Sequence, residues 1–99
     1  MNRSGAVSTR EAYQRLRDAA LGVQPLQIRA QHGEGLVDVV IEGWQMTLAL
    51  DAEGLAHCVH CQAPNGDQAG LDDWHRYGTN PADLLSLWER TQLETRLAG

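Results

Sequence analysis

Five consecutive residues, His57-Cys58-Val59-His60-Cys61, hold both cysteines and half the histidines of this 99-residue chain. Thiolate and imidazole are ligands for zinc, and thiolate is also the working group of redox chemistry. A tetrahedral zinc site takes four ligands, and Cys58-x-x-Cys61 supplies two. His57 and His60 are the nearest candidates to complete it, with His75, Asp72 and Asp73 further along. The chain has no second Cys-x-x-Cys. Redox cysteines usually open a helix, whose N-terminus lowers the thiol pKa. Here Pro64, Asn65 and Gly66 follow instead. On an unbroken strand, residues three apart face opposite sides. Joint use of the two sulfurs therefore requires the chain to leave β geometry between them. The plainer expectation is two reduced thiols at a strand end with no bound cofactor. Zinc on Cys58, Cys61, His57 and His60 is the alternative.

Other chemistries find less support. There is no Gly-x-Ser-x-Gly elbow, and Ser8 and Ser86 sit where helix caps belong. Gly33-Glu34-Gly35 has an acidic centre that would repel phosphate. Asp72 and Asp73 are neighbours on a short helical stretch and do not face each other. Arg10, Gln14 and Arg17 share one helix face, which reads first as solvated surface and second as a docking face for an acidic partner. Trp74, Tyr77 and Trp88 stripe the last third, as core aromatics would.

The elements that must position these residues are well marked. Ser8 and Glu11 form a capping box, and Tyr13, Leu16 and Ala20 recur at helical spacing up to Gly22. Leu26, Ile28 and Ala30 alternate with polar residues, as a half-buried strand does. After a turn at His32–Gly35, Leu36–Ile41 is a second strand, ended by a bend or bulge at Glu42-Gly43. Trp44, Met46, Leu48 and Leu50 then alternate in a third, predicted to face the helices. Asp51–Gly54 is a hairpin loop. Residues 55–60 form the fourth strand, with Leu55, His57 and Val59 on one face and Ala56, Cys58 and His60 on the other. Residues 62–70 read as a loop, and 71–77 as one or two helical turns closed by Gly78. Asn80-Pro81 starts a short helix over 81–85. Ser86 and Glu89 form a second capping box, so a break is expected there, before a main helix over 87–97. Leu84, Leu85, Trp88, Leu93 and Leu97 should carry its apolar load.

Composition bounds the function. Hydrophobic content of 42% and charged content of 21% suit a globular domain. The net charge is −5 and every basic residue is arginine. An acidic chain without a basic stripe is a poor nucleic-acid binder, since phosphate neutralisation supplies most non-specific affinity. No apolar run approaches the ~20 residues that span a bilayer, and residues 1–7 do not resemble a secretory signal. The expectation is a cytoplasmic protein with no membrane partner.

Gly43-Trp44-Gln45-Met46-Thr47-Leu48, Asp51, Cys58-x-x-Cys61, Pro64-Asn65-Gly66, Trp74 and Gly78-Thr79-Asn80-Pro81 through Leu84-Leu85-Ser86 occur in order along residues 8–97. In this pattern the chain resembles a family of small uncharacterised bacterial proteins, chiefly from pseudomonads. The resemblance implies a common fold and carries no activity with it. The expected architecture is α+β: a disordered 1–7, then one domain over 8–99. About four mainly antiparallel strands carry an N-terminal helix and C-terminal helices on one face. The leading functional reading is a non-catalytic module binding an unknown protein partner. A zinc-binding protein comes next, and a thiol redox protein third.

Overall fold

A computed structural model describes residues 7–52, 54–76 and 79–98 of the chain, with the backbone alone for His75, Arg76 and Ala98. The expectations for residues 1–6, for Tyr77 and Gly78, and for the His75 side chain fall outside it. Helix α1 (Thr9–Ala20) begins as its sequence dictates. The Ser8 hydroxyl accepts from Glu11 N at 3.1 Å, and Glu11 Oε1 accepts from Ser8 N at 3.1 Å. The reciprocal pair satisfies donors that the first turn leaves free. Ala12, Leu16, Ala19 and Ala20 form its buried face.

Five antiparallel strands follow as a meander in chain order: β1 (Leu26–His32), β2 (Leu36–Ile41), β3 (Trp44–Asp51), β4 (Gly54–Gln62) and β5 (Gln68–Gly70). Glu42-Gly43 is a two-residue hairpin turn, with φ of 53° and 81°. Positive φ at both central residues matches the twist of the flanking strands, so the pair reverses the chain rather than bulging it. Val37, Val39, Ile41, Met46 and Leu48 are buried on one face, with Trp44 and Leu50 packed against them. The expected orientation of Trp44, Met46, Leu48 and Leu50 towards the helices therefore holds. Arg15 of α1 lies over the Trp44 ring, 5.4 Å from its centroid.

β5 replaces the tail of the expected loop. Ala63 N donates to Asp67 O at 2.7 Å, and Asp67 N to the Asn65 side chain at 3.0 Å. Pro64-Asn65-Gly66 is thus the tip of a hairpin that returns a three-residue strand. Val7 is buried beside this strand: its N–H donates to Gln68 O, and its carbonyl accepts from Trp74 Nε1 at 3.3 Å. Trp74 belongs to the short helix α2 (Leu71–Arg76) and is buried.

The C-terminal segment crosses the same face as α1. A 3-10 turn (Pro81–Leu84) capped by Asn80 ends before Ser86, and α3 (Leu87–Ala98) starts after it. Ser86 Oγ accepts from Glu89 N at 3.1 Å, and Glu89 Oε1 accepts from Ser86 N at 2.8 Å. The break is where the second capping box requires it. Glu89 Oε2 also pairs with Arg17 Nε at 3.3 Å, which ties α3 to α1. Leu85, Leu93 and Leu97 enter the core, whereas Leu84 and Trp88 do not.

Candidate functional site

β4 is not a regular strand, and this decides the fate of the cysteine–histidine cluster. Leu50 pairs with Leu55 and Ala49 with His57, leaving Ala56 unpaired; Leu48 pairs with Cys58 and Thr47 with His60, leaving Val59 unpaired. Two β-bulges therefore lie within five residues, and each resets the alternation. Leu55, Cys58 and Cys61 all point into the core and are buried. His57 and His60 stand opposite Ala49 and Thr47, on the face away from the helices. The face assignment expected from regular alternation is thus wrong for this strand. The chain does leave β geometry between the two cysteines, and both sulfurs share a side. The same bulges send the histidines to the other side, so the four candidate metal-ligating side chains do not converge. Among the described residues no group of three or more His, Cys, Asp or Glu is placed to hold a metal ion.

Both thiols are free and buried. Burial pushes the Cys58 thiol far above its ordinary value, with Cys61 adding to the effect. Burial pushes Cys61 up to about 12, Glu11 raising it further and Arg15 opposing. Cys58 Sγ donates to His60 O at 3.5 Å, across the bulge. These are protonated core side chains at neutral pH, the opposite of an activated nucleophile.

The edge of β4 is closed by side chains. Asn80 Oδ1 accepts from Cys58 N at 2.9 Å and its Nδ2 donates to Cys58 O at 2.8 Å. The amide thereby pairs with Cys58 as a neighbouring strand would, while Oδ1 also accepts from Ala82 N at 3.0 Å. Next along the edge, Glu94 Oε2 accepts from Leu55 N at 2.8 Å, and Arg90 Nη1 donates to Leu55 O at 2.9 Å. Gly54, at φ 112°, leaves room for the Glu94 carboxylate, which any Cβ there would strike. Arg90 Nη2 continues to Ala82 O at 2.8 Å, which fixes α3 and the 3-10 turn to the strand.

The open face of the sheet carries two polar rows. One runs Ala30, Asp38, Thr47, His60, Gly70 across the five strands; the next runs Gln27, Val40, Gln45, Gln62, Gln68. His32 Nε2 and Asp38 Oδ2 are 2.9 Å apart, Thr47 Oγ1 donates to Asp38 Oδ1 at 2.7 Å, and His60 Nε2 meets Gln68 Oε1 at 3.1 Å. The hydrogen bond from His32, then that from Thr47, hold the Asp38 carboxyl below its usual range. The order of groups is wrong for nucleophile activation. Thr47 donates to a carboxylate of lowered basicity rather than to an imidazole. The chain alternation placed Asp38 and Thr47 on the outer face, but their pairing with His32 and His60 came only with the strand register.

A further surface feature is apolar, at the start of α3. Leu84, Leu87 and Trp88 are 44%, 81% and 55% exposed. The solvent side of α3 continues with Thr91 and Thr95, whose hydroxyls donate to Leu87 O and Thr91 O. The expectation that Trp88 and Leu84 join the core is therefore corrected. The capping box at Ser86 rotates the start of α3 so that buried Glu89 faces α1 and Trp88 faces outwards.

An antiparallel five-stranded sheet with helices on one face and a polar open face defines an α+β domain. Residues 6–99 match the family model of a domain of unknown function, DUF7693, and the chain belongs to that family. No curated protein and no solved structure matches the chain. No helix among the described residues is long and apolar enough to cross a membrane.

Proposed function

We propose that this chain is a non-catalytic interaction module of the cytoplasm, docking into an apolar groove of a partner protein through Leu84, Leu87 and Trp88. The single observation behind this reading is the exposure of two leucines and a tryptophan within five residues of chain, on a protein with a well-filled core. Together they present on the order of 300 Å² of apolar surface, within the range of the largest apolar patch on a typical monomer, which is often functional. Leu84 ends the 3-10 turn while Leu87 and Trp88 open α3, so the three anchors flank the break at Ser86. Exposed apolar side chains of this kind seat in partner grooves, and tryptophan is enriched among hot-spot residues. A stable symmetric dimer needs about 800 Å² from each protomer, so the patch suits a transient partner better than a second copy. The buried thiols fit a module without thiol chemistry.

The test is site-specific photo-crosslinking in cells expressing the full chain, with the probe at position 87 and a control probe at Gln27 on the far face. The expected result is one protein adduct from position 87 only, competed by unlabelled chain and abolished by Trp88→Ala, with the melting temperature unchanged. Adducts equal at both positions, or insensitive to Trp88→Ala, would refute the reading. A self-adduct accompanied by a dimer in sedimentation would replace the partner with a second copy.

A further inference from the structure

The open sheet face holds a groove of about 380 Å³ lined by Arg29, Asp38, Val40, Gln45, Thr47, His60 and Gln62 among others. Its charges are few and unusual. In a chain with 13 acidic and 8 basic residues, the groove has one carboxylate and one guanidinium. Arg29 and Asp38 form no ion pair with each other, and Arg29 forms none with any described residue. Arg29 is the residue left unpaired between Ile28 and Ala30, where the β1–β2 register shifts. Ile28 packs on the core, so Arg29 falls on the open face by alternation, and the register shift sets Ala30 on that face too, opposite Asp38. The remaining wall is largely polar: Gln45 and Gln62 stand opposite each other, and Thr47 stands opposite His60.

From this arrangement we infer that the groove binds a small zwitterion of the amino-acid class, its ammonium on Asp38 and its carboxylate on Arg29. A carboxylate has about four lone-pair directions, and His32 and Thr47 occupy one on each oxygen of Asp38. Two remain for an ammonium group. A guanidinium takes a carboxylate through two parallel N–H bonds, which gives geometric selection as well as charge. The Gln45 and Gln62 amides each offer a donor and an acceptor to a polar side chain. The volume lies within the usual range of about 300–1,000 Å³ for small-molecule sites. A ligand with a single charge would satisfy one of the two groups and leave the other facing it with the wrong sign or unmet.

The experiment is an NMR titration of the isotope-labelled, tag-free chain with each of the common amino acids, and with their des-amino and decarboxylated analogues. At least one amino acid is expected to give saturable shifts at the amides of residues 38, 47, 60 and 62. Removing either charge from the ligand should weaken binding by about tenfold or more, and so should Arg29→Gln, an exposed change that leaves the fold intact. Asp38→Asn is the reciprocal variant, with its melting temperature measured alongside. Trp88→Ala should leave the affinity unchanged, which separates this site from the docking patch. Absence of saturable shifts up to about 10 mM would overturn the inference. So would equal binding of the singly charged analogues, or an affinity unaffected by Arg29→Gln.

Discussion

Replacing Asn80 tests whether a side chain can serve as a strand. Its amide satisfies the N–H and C=O of Cys58 in a buried setting and caps the 3-10 turn. Asn80→Ala leaves both backbone groups without partners, at about 1–3 kcal/mol each. Loss of the cap adds about 0.5–2 kcal/mol. One oxygen serves both Cys58 and Ala82, so the terms overlap, and the expected total is about 3–5 kcal/mol. That is a large part of the roughly 5–15 kcal/mol available to a domain of this size. Asn80→Asp separates the two halves of the amide. It keeps the acceptor and turns the donor into an oxygen facing Cys58 O. The introduced carboxyl is then disfavoured in its charged form, so its folded-state pKa rises above the unfolded value. Protonation favours the fold in that case. The variant should be least stable at neutral pH and recover as pH falls through the raised pKa, whereas Asn80→Ala shows no such recovery. Urea unfolding followed by circular dichroism at several pH values measures both. A loss below about 1 kcal/mol for Asn80→Ala, or parallel pH profiles for the two variants, would refute the reasoning.

Three further outcomes are expected. Ser86→Ala should cost about 0.5–2 kcal/mol in a denaturant melt and Ser86→Gly only a few tenths, since glycine tolerates the cap geometry; equal losses would contradict the reciprocal box. Cys58 and Cys61 should resist a thiol reagent at pH 8 in the folded protein and react only at the rate of unfolding, because burial holds both protonated; a fast phase without denaturant would show the thiols to be accessible. The Asp38 carboxyl is held low by His32 and Thr47, so its contribution is present above the unfolded carboxylate pKa and is lost as pH falls through the folded one. Asp38→Asn should flatten the acid limb of the stability curve below about pH 4, and an unchanged limb would argue against the pairing.

Much of the fold could be read from local chemistry. Both capping boxes, the alternation of Trp44 to Leu50 and the break at Ser86 stand where the residue pattern puts them, because each is decided within one turn or one strand. The misses share a cause: they are set by neighbours distant in sequence. Nothing in Leu55–Cys61 announces two bulges, which exist because β4 must pair with β3 while Leu55, Cys58 and Cys61 fill the core. Strand β5 is three residues long, below the length at which alternation gives a signal. Residue type places Trp88 in the core, and the orientation of α3, fixed by Glu89 and Arg17, overrides that. Asn80 was legible as a cap and not as a partner for Cys58, since no sequence rule couples positions 22 residues apart.

The groups that close the β4 edge come from Asn80, Arg90 and Glu94, downstream of every strand. On the ribosome the whole meander emerges before them. Until the last segment folds back, the backbone of Leu55 and Cys58 stands open to any other extended chain nearby, including a neighbouring nascent copy. Solubility during synthesis therefore depends on how soon the C-terminal segment arrives. A chain stopped just before Asn80 would carry all five strands in sequence and still be prone to aggregate through this edge.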